Sequence, residues 1–281
     1  MRLDRYTRAA DFLAAAGEFL ATREAEHNLI LGVSSSLVAS PDRYDGPAYQ
    51  AVVSDGDRIV MAALRNGPYN LILSEVDDPA ALALLADDLA GSQLPGVVGP
   101  PHAARDFADR WVRSAGGTWS VVIDERIYRL TALRPPRIAP GSWRLAEPGD
   151  RLLLAGWLRD FGIEALDDAD AARVELGLDE WESGLGRRYW LWEDEGLPVT
   201  VVGAGGDTPN GIRIGPVYTP PPYRERGYAS NLTAAVSQAL LDEGRTFCFL
   251  YTNLANGTAN RIYHAIGYEP VTDAVMIRFD S

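Results

Sequence analysis

Apolar residues recur along this chain at two spacings, every three or four residues in some segments and every second residue or in short runs in others. The first spacing predicts helices and the second predicts strands. In the first half, the predicted helices are residues 9–20, 24–33, 79–89 and 103–116. The predicted strands are residues 49–53, 58–65, 70–74 and 96–99, with one or two more in 120–133. Gly32 is placed to end the second helix, and Ser54–Asp57 to join two strands as a hairpin.

The second half repeats much of this order after a stiff, proline-rich break at Arg134–Ser142. Its predicted helices are residues 150–161, 169–185 and 257–266, with a further helix that ends at Gly244. Its predicted strands are residues 189–193, 198–204, 212–218, 246–252 and 275–279. We therefore predict two tandem α/β domains of similar build, residues 1–135 and 136–281. An unrelated α/β domain in the first half stays open as an alternative.

The segment Val217–Ser230 carries the first candidate chemistry. Its apolar start predicts a strand, three prolines end that strand, and Gly227 permits backbone angles that other residues avoid. A helix then begins, and the free N–H groups and positive dipole end of a helix start favour an anion such as a phosphate. Arg224 and Arg226 add positive charge. The alternative is an ordinary strand, loop and helix without a ligand.

A second segment, Asn256–Tyr268, favours the interpretation that the turn binds a ligand. Together the two segments resemble the signatures of the GCN5-related N-acetyltransferase (GNAT) superfamily over about residues 211–279. One family motif is Arg or Gln, two residues, Gly, one residue, then Gly or Ala, which here is Arg224, Gly227 and Ala229. The other motif is Asn, two residues, a small residue, three residues, Tyr, three residues, Gly and an aromatic residue. Here these are Asn256, Ala259, Tyr263, Gly267 and Tyr268.

The resemblance implies a GNAT-like fold for both domains, each a mixed, mainly antiparallel twisted sheet flanked by helices. It also implies direct transfer of an acetyl group from acetyl-CoA to an amine. Backbone groups of Val217 and Thr219 would then bind the thioester and pantetheine arm. The turn that would hold the pyrophosphate consists of Arg224, Glu225, Arg226, Gly227, Tyr228, Ala229 and Ser230.

Two residues of the second motif have both a functional and a structural interpretation. In the family, the tyrosine at Tyr263 acts as general acid on the leaving thiolate, yet Tyr263 also shares an apolar helix face with Ile262 and Ile266. Asn256 is either a cofactor contact or only the helix N-cap. The general base is not identified, because the start of the signature strand has no carboxylate. Glu164, Glu193 and Glu195 could act through water.

Composition narrows the remaining function classes. The formal net charge of −13, without a basic stripe, argues against nucleic-acid binding, and no apolar run approaches a membrane span. The single cysteine, Cys248, excludes a disulfide framework and is predicted to be buried, and no metal-ligand cluster is visible. The cytoplasm is the simplest compartment. The expected partner is a small-molecule or peptide amine, and the protein is expected to be a monomer or homodimer.

The first half lacks the signature. Its matching place is predicted at Gly99–Ala108, which has no glycine where the phosphate turn needs one. We therefore expect a degenerate half that does not bind the cofactor. That absence and the missing base also leave a second function open, a non-catalytic module that binds acetyl-CoA or a protein partner.

Overall fold

The computed structural model describes residues 1–41, 48–166 and 170–280 of the 281-residue chain. These residues form two compact units. Unit 1 comprises residues 1–127, 207–209 and 271–280, and unit 2 comprises residues 128–206 and 210–270. Within the described residues, no helix has the length and apolar character needed to cross a bilayer.

Unit 1 contains four helices among its described residues, which are α1 (Ala9–Ala21), α2 (Asn28–Ala39), α3 (Ala80–Asp88) and α4 (Pro101–Ala115). Its strands are β1 (Arg2–Arg5), β2 (Tyr49–Asp55), β3 (Arg58–Arg65), β4 (Leu71–Leu73), β5 (Gly96–Gly99), most of β6 (Thr118–Leu130) and most of β12 (Glu269–Asp280). The strands β1-β2-β3-β4-β5-β12 lie side by side in that order. Only β4 and β5 of this series are parallel.

Alternation along the central strands of unit 1 sends apolar side chains to both faces of the sheet, because successive residues of a strand point to opposite sides. Val52, Ala62 and Leu64 pack with α1 and α2. Val53 and Met61 belong to the opposite core, with α3 and α4. The sheet is therefore the middle of three layers, and both of its faces are buried.

Unit 2 contains the helices α5 (Arg151–Leu166), α6 (Ala171–Glu182), α7 (Tyr228–Asp242) and α8 (Gly257–Ala265). Its strands are β7 (Ser142–Leu145), β8 (Arg188–Asp194), β9 (Leu197–Gly205), β10 (Gly211–Tyr218) and β11 (Phe247–Asn253). They are neighbours in the order β11-β10-β9-β8-β7. The pair β10 and β11 is parallel, whereas the other three pairs are antiparallel.

The sheet of unit 2 is also covered on both faces. Leu191, Val201 and Tyr218 form one core with α5 and α6. Trp192 and Val202 belong to the other core, which also contains Cys248, α7 and α8. Cys248 is fully buried, as predicted, and burial raises the pKa of its thiol to about 12.

The two units have the same order of elements. Each runs strand, helix, helix, three strands, helix, strand, helix, from β1 to α4 in unit 1 and from β7 to α8 in unit 2. Each also has its parallel pair at the same point, immediately before and after its third helix. The predicted fold class, two tandem domains with mixed, mainly antiparallel sheets flanked by helices, is confirmed.

Several predicted boundaries differ from the structure. Gly32 does not end a helix, because α2 continues to Ala39 with Leu31 and Leu37 facing the core, and this packing offsets the low helix propensity of glycine. The short strand β1 was not predicted. The predicted start of a helix at Ala169 lies outside the described residues. The contact boundary falls within β6, after Ile127, and the last strand groups with unit 1 instead of unit 2.

Candidate functional site

The strands β10 and β11 pair over only part of their length. Their parallel register runs from Gly211 opposite Phe247 to Arg213 opposite Phe249. Strand β10 then continues to Tyr218, paired on its other side with β9. Within the described part of unit 2, the edge of β10 beyond Arg213 therefore has no strand partner. Such an edge can hydrogen-bond an extended ligand through backbone groups.

A bulge interrupts β10 in this same half. Ile214 lies opposite Ala204, and Val217 lies opposite Val202, so two residues of β10 face one residue of β9. A bulge bends a strand and re-aims the side chains that follow it. Val217 packs against the core under α7 and α8, and Tyr218 belongs to the core under α5 and α6. The last two residues of β10 thus pack their side chains on opposite faces of the sheet.

The turn between β10 and α7 contains two left-handed residues, Glu225 with φ 63° and Gly227 with φ 84°. Helix α7 begins directly after Gly227, whose carbonyl accepts the first intrahelical bond, from the Asn231 N–H at 3.0 Å. The N–H groups of residues 228–230 precede that bond and have no acceptor within the helix. They lie at the positive end of the helix dipole, as an anion site requires.

Asn231 holds this turn in place, although sequence reasoning missed it. Its side-chain amide donates to the carbonyl of Gly227 at 2.9 Å and to that of Arg137 at 2.9 Å. Its side-chain oxygen accepts the Ala139 N–H at 3.4 Å. The only signal in the sequence was a polar residue on the buried side of a helix. Asn231 therefore ties the start of α7 to the segment that precedes β7.

Tyr228, one of the predicted turn residues, has a buried side chain. Its hydroxyl donates a short hydrogen bond to the Asp194 carboxylate at the end of β8. This bond is the main reason why the pKa of Tyr228 is raised. The side chain thus anchors the start of the helix. Only the backbone N–H of Tyr228 is left for the predicted role of the turn, which is to bind an anion.

Arg224 is engaged by groups of the chain itself. One terminal nitrogen of its guanidinium lies 2.9 and 2.7 Å from the two carboxylate oxygens of Glu164 on α5, and its Nε donates to the Thr219 carbonyl at 2.9 Å. The Thr219 hydroxyl is 2.7 Å from that of Thr200. Arg226 is exposed beside the turn. Both arginines were predicted to add positive charge to the turn. In the structure, the Arg224 side chain is directed toward Glu164 on α5.

The second motif forms α8 and the loop before it. The Asn256 side chain accepts the Ala259 N–H at 3.0 Å, which makes it the N-cap of α8. Asn260, which the sequence did not single out, donates to the carbonyls of Asn253 and Asn256 and accepts the Tyr128 hydroxyl at 3.1 Å. Asn256 is therefore the helix N-cap, as one of the two interpretations predicted, while its contact with a cofactor stays a prediction.

Tyr263 lies on the buried side of α8. Its ring is 5.9 Å from that of Tyr268, edge to face, and burial raises the pKa of its hydroxyl to about 12. That hydroxyl has no hydrogen-bond partner among the described residues. The Tyr263 hydroxyl is thus protonated at neutral pH, and no group of the described residues forms a hydrogen bond with it.

The structure separates the three carboxylates that the sequence offered as bases. Glu193 is bound to Arg144 at 2.7 Å, and Glu195 sits in the turn after β8 with φ 52°. Only Glu164 lies beside β10, with its carboxylate 3.4 Å from the Tyr218 hydroxyl. Asp160, one helical turn earlier on α5, is 3.5 Å from the same hydroxyl.

The counterpart of the signature turn in unit 1 is not where the sequence placed it. Gly99–Ala108 follows β5 and starts α4, whereas the element equivalent to α7 is α3. The equivalent turn is residues 74–79, after β4, and it contains Glu75, Asp77 and Asp78 but no glycine. The location was wrong because Gly99–Ala108 leads into α4, which is the counterpart of α8 and not of α7.

Backbone donors of this unit 1 turn have acceptors within unit 1. The Glu75 N–H donates to Nε2 of buried His27 at 3.1 Å, and the Asp77 N–H donates to the Val60 carbonyl at 3.0 Å. The Ala80 N–H, at the start of α3, donates to the Asp78 carboxylate at 2.9 Å. A second phosphate in this position would meet carboxylates instead of free N–H groups.

Comparison with known proteins gives one family and a set of related folds. The model of the family described as FR47-like protein matches residues 207–277. A structural-genomics protein from Drosophila has a TM-score of 0.72 at 12% identity, covering 99% of this chain and 98% of its own. A GCN5-related N-acetyltransferase from Sphaerobacter thermophilus has a TM-score of 0.61 at 18% identity, with 98% and 95% covered.

A tandem GNAT protein from the clavulanic acid biosynthesis pathway has a TM-score of 0.56 at 16% identity, and covers 98% of this chain and 97% of its own. No curated protein sequence matches the chain significantly. At these identities the structural likeness shows the fold alone. The match of the family model, in contrast, comes from the sequence and spans both signature segments.

Proposed function

We propose that this chain is a member of the GNAT superfamily that transfers an acetyl group from acetyl-CoA to a primary amine of a small molecule or peptide. One observation carries the proposal, the turn in which left-handed Glu225 and Gly227 precede the free N–H groups of α7. An anion-binding turn directly after a strand with an unpaired edge fits a ligand that has a pyrophosphate and an extended, amide-containing arm.

The residues present fit coenzyme A in two places. The N–H groups of residues 228–230 and the left-handed backbone at residues 225 and 227 suit the pyrophosphate. The edge of β10 at Val217, together with Thr219 directly after the strand, suits the amides of the pantetheine arm. When bound, acetyl-CoA supplies a thioester whose carbonyl carbon is open to attack by an amine. We assign the cofactor to unit 2, because the equivalent turn of unit 1 is acidic and its donors are used.

Tyr263 is the proposed general acid. Burial raises the pKa of its hydroxyl to about 12, so the hydroxyl is protonated at neutral pH and has a proton to give to a sulfur leaving as thiolate. Its buried position excludes most water from the same hydroxyl. Proton transfer of this kind is worth about a hundred- to ten-thousandfold in rate.

The experiment is a titration with acetyl-CoA by calorimetry, using two matched glycine variants. Gly227→Trp places a large side chain on the exposed turn, where we expect it to abolish binding. Gly244→Trp is the control, since Gly244 is also exposed, also has a positive φ, and lies at the other end of α7. Saturable binding by the parent and the control, but not by Gly227→Trp, supports the cofactor site. Absence of binding by the parent contradicts the proposal.

Turnover separates the enzyme from a module that only binds the cofactor. Release of free coenzyme A is measured with a panel of primary amines at saturating acetyl-CoA. Amine-dependent release supports acetyl transfer. Binding without release for every amine would favour the non-catalytic alternative.

A further inference from the structure

The Arg224 guanidinium occupies a place built for a cation. Both oxygens of Glu164 lie within 2.9 Å of one of its nitrogens, and the Thr219 carbonyl accepts from another at 2.9 Å. The Tyr218 ring lies beneath it, with 5.9 Å between the guanidinium carbon and the ring centre. A carboxylate, a carbonyl and an aromatic face are the groups that recognise ammonium and guanidinium ions. We call this set of groups, with Glu164 as its charge, the cation seat.

The seat and the anion-binding turn share one side chain. Arg224 belongs to the turn by sequence, only three residues before Gly227. A bidentate pair of its guanidinium with a pyrophosphate on the turn would use the terminal nitrogen that now lies 2.7 Å from Glu164. The pair of Arg224 with Glu164 is exchangeable, because both side chains are nearly half exposed, at 43% and 45%, and exposed ion pairs are weak. A doubly charged pyrophosphate next to free N–H groups is a stronger partner.

The seat also lies at the end of the strand that carries the proposed thioester contacts. Tyr218, the last residue of β10, directly follows Val217, and its hydroxyl is 3.4 Å from Glu164 and 3.5 Å from Asp160. With Arg224 in place, one positive charge faces these two carboxylates. If Arg224 leaves, the seat keeps its acidic groups and its aromatic face but loses its cation.

We propose that binding of coenzyme A draws Arg224 from Glu164 to the pyrophosphate, and that the vacated seat then holds a cationic group of the acceptor. Glu164 is thus a positioning residue that serves two cations in turn. The acceptor class is a primary amine that has a second, non-reacting cationic group near the reacting nitrogen. This inference rests on the proposed function.

The first test measures coenzyme A affinity by calorimetry in the parent, Glu164→Gln and Glu243→Gln. Glu164→Gln releases Arg224, so we expect coenzyme A to bind about two- to fivefold more tightly, the range that an exposed ion pair provides. Glu243→Gln is the matched control, because Glu243 forms an equally exposed pair with Arg188, 43% and 47%, at 2.7 Å. Its affinity should equal that of the parent.

A double-variant cycle ties the effect to Arg224. In an Arg224→Gln background, the further change Glu164→Gln should leave coenzyme A affinity unchanged, since no guanidinium remains to be released. Equal affinity of the parent and Glu164→Gln, or an equal gain in the Arg224→Gln background, overturns the inference. If coenzyme A binds to none of the proteins, the proposed function itself fails, so the two failures are distinguishable.

The second test probes the seat directly with n-butylguanidinium, which has no primary amine to acylate. We expect it to bind at least about tenfold more tightly at saturating coenzyme A than without it, and this gain to disappear in Glu164→Gln. Equal affinity with and without coenzyme A, or no binding in either state, contradicts the seat. Thermal unfolding of each variant checks that the fold is intact.

Discussion

Tyr263 and Tyr268 lie edge to face with their ring centres 5.9 Å apart, yet their hydroxyl groups have different environments. The Tyr268 hydroxyl is 2.8 Å from that of Ser237 in the core. The Tyr263 hydroxyl has no such partner among the described residues. Two neighbouring tyrosines of one motif therefore provide a functional candidate and its internal control.

For Tyr263→Phe, we expect a loss of about a hundred- to ten-thousandfold in kcat with little change in stability, because no hydrogen bond is removed. For Tyr268→Phe, we expect a loss of about 1–2 kcal/mol in the free energy of unfolding, because the buried Ser237 hydroxyl loses one of its two hydrogen-bond partners and keeps only the Thr233 carbonyl. Initial rates and urea unfolding measure the two effects. A Tyr263→Phe enzyme with the rate of the parent would leave Tyr263 as a core residue.

Gly96 of β5 makes a close approach to β12. A Cβ atom at Gly96 would overlap the Ile277 carbonyl oxygen, and the neighbouring residue Val97 lies opposite Ile277 in the register. We expect Gly96→Ala to lower the free energy of unfolding by about 1–3 kcal/mol, because the strands must separate to make room. Urea unfolding measures the change.

The control for this variant is Gly17→Ala. Gly17 lies inside α1 with no atom within 4 Å of an added Cβ. Alanine has the higher helix propensity, so Gly17→Ala should raise stability, by at most about 1 kcal/mol. Equal effects of the two variants would contradict the close packing of β5 against β12 in unit 1.

His27 predicts a pH dependence of stability. Burial lowers its pKa from 6.5 to about 4, while its Nε2 accepts the Glu75 N–H. Because the unfolded state binds a proton more readily, stability should fall as pH decreases from about 6.5 toward 4, by roughly 3 kcal/mol in total. Above pH 6.5 this contribution is constant. Urea unfolding between pH 7 and 4 measures it.

The matched variant is His27→Gln, which keeps a side-chain acceptor for Glu75 but does not titrate. Its stability should lack the His27 part of the slope, so the difference between the two proteins should shrink or reverse as pH falls. A parent and variant with parallel pH curves would show that His27 is not protonated on unfolding.

Asn231 predicts a link between the fold and cofactor binding. Asn231→Ala removes the bonds to the Gly227 and Arg137 carbonyls, so we expect weaker acetyl-CoA binding and a loss of about 1–3 kcal/mol in stability. Gln238→Ala, on the exposed side of α7, breaks only a bond to Asp242 and should change neither quantity much. Calorimetry and urea unfolding compare them. Unchanged acetyl-CoA affinity in Asn231→Ala would mean that the turn binds the cofactor without the hydrogen bonds of Asn231.

Local features were readable from the sequence because they depend on residues close together in the chain. The signature strand, the left-handed Gly227 and the Asn256 cap all follow from spacing and backbone preference, and the structure has each of them. The same reasoning erred at Gly32, where packing of α2 outweighs the propensity of one glycine. It also erred at Gly99–Ala108, because the counterpart of α7 is identified by the parallel strand pair on either side of it, and strand pairing is not a local feature of the sequence.

The tandem order of α/β elements, the two motifs and the class of chemistry that they resemble could all be predicted from the order of residues. Which residues act together depends on the folded arrangement of the chain. Contacts such as those of Glu164 with Arg224, Asn231 with Arg137 and Asp194 with Tyr228 join segments 34–94 residues apart. Such contacts depend on how the layers pack, and packing is a property of the whole fold that no local spacing contains.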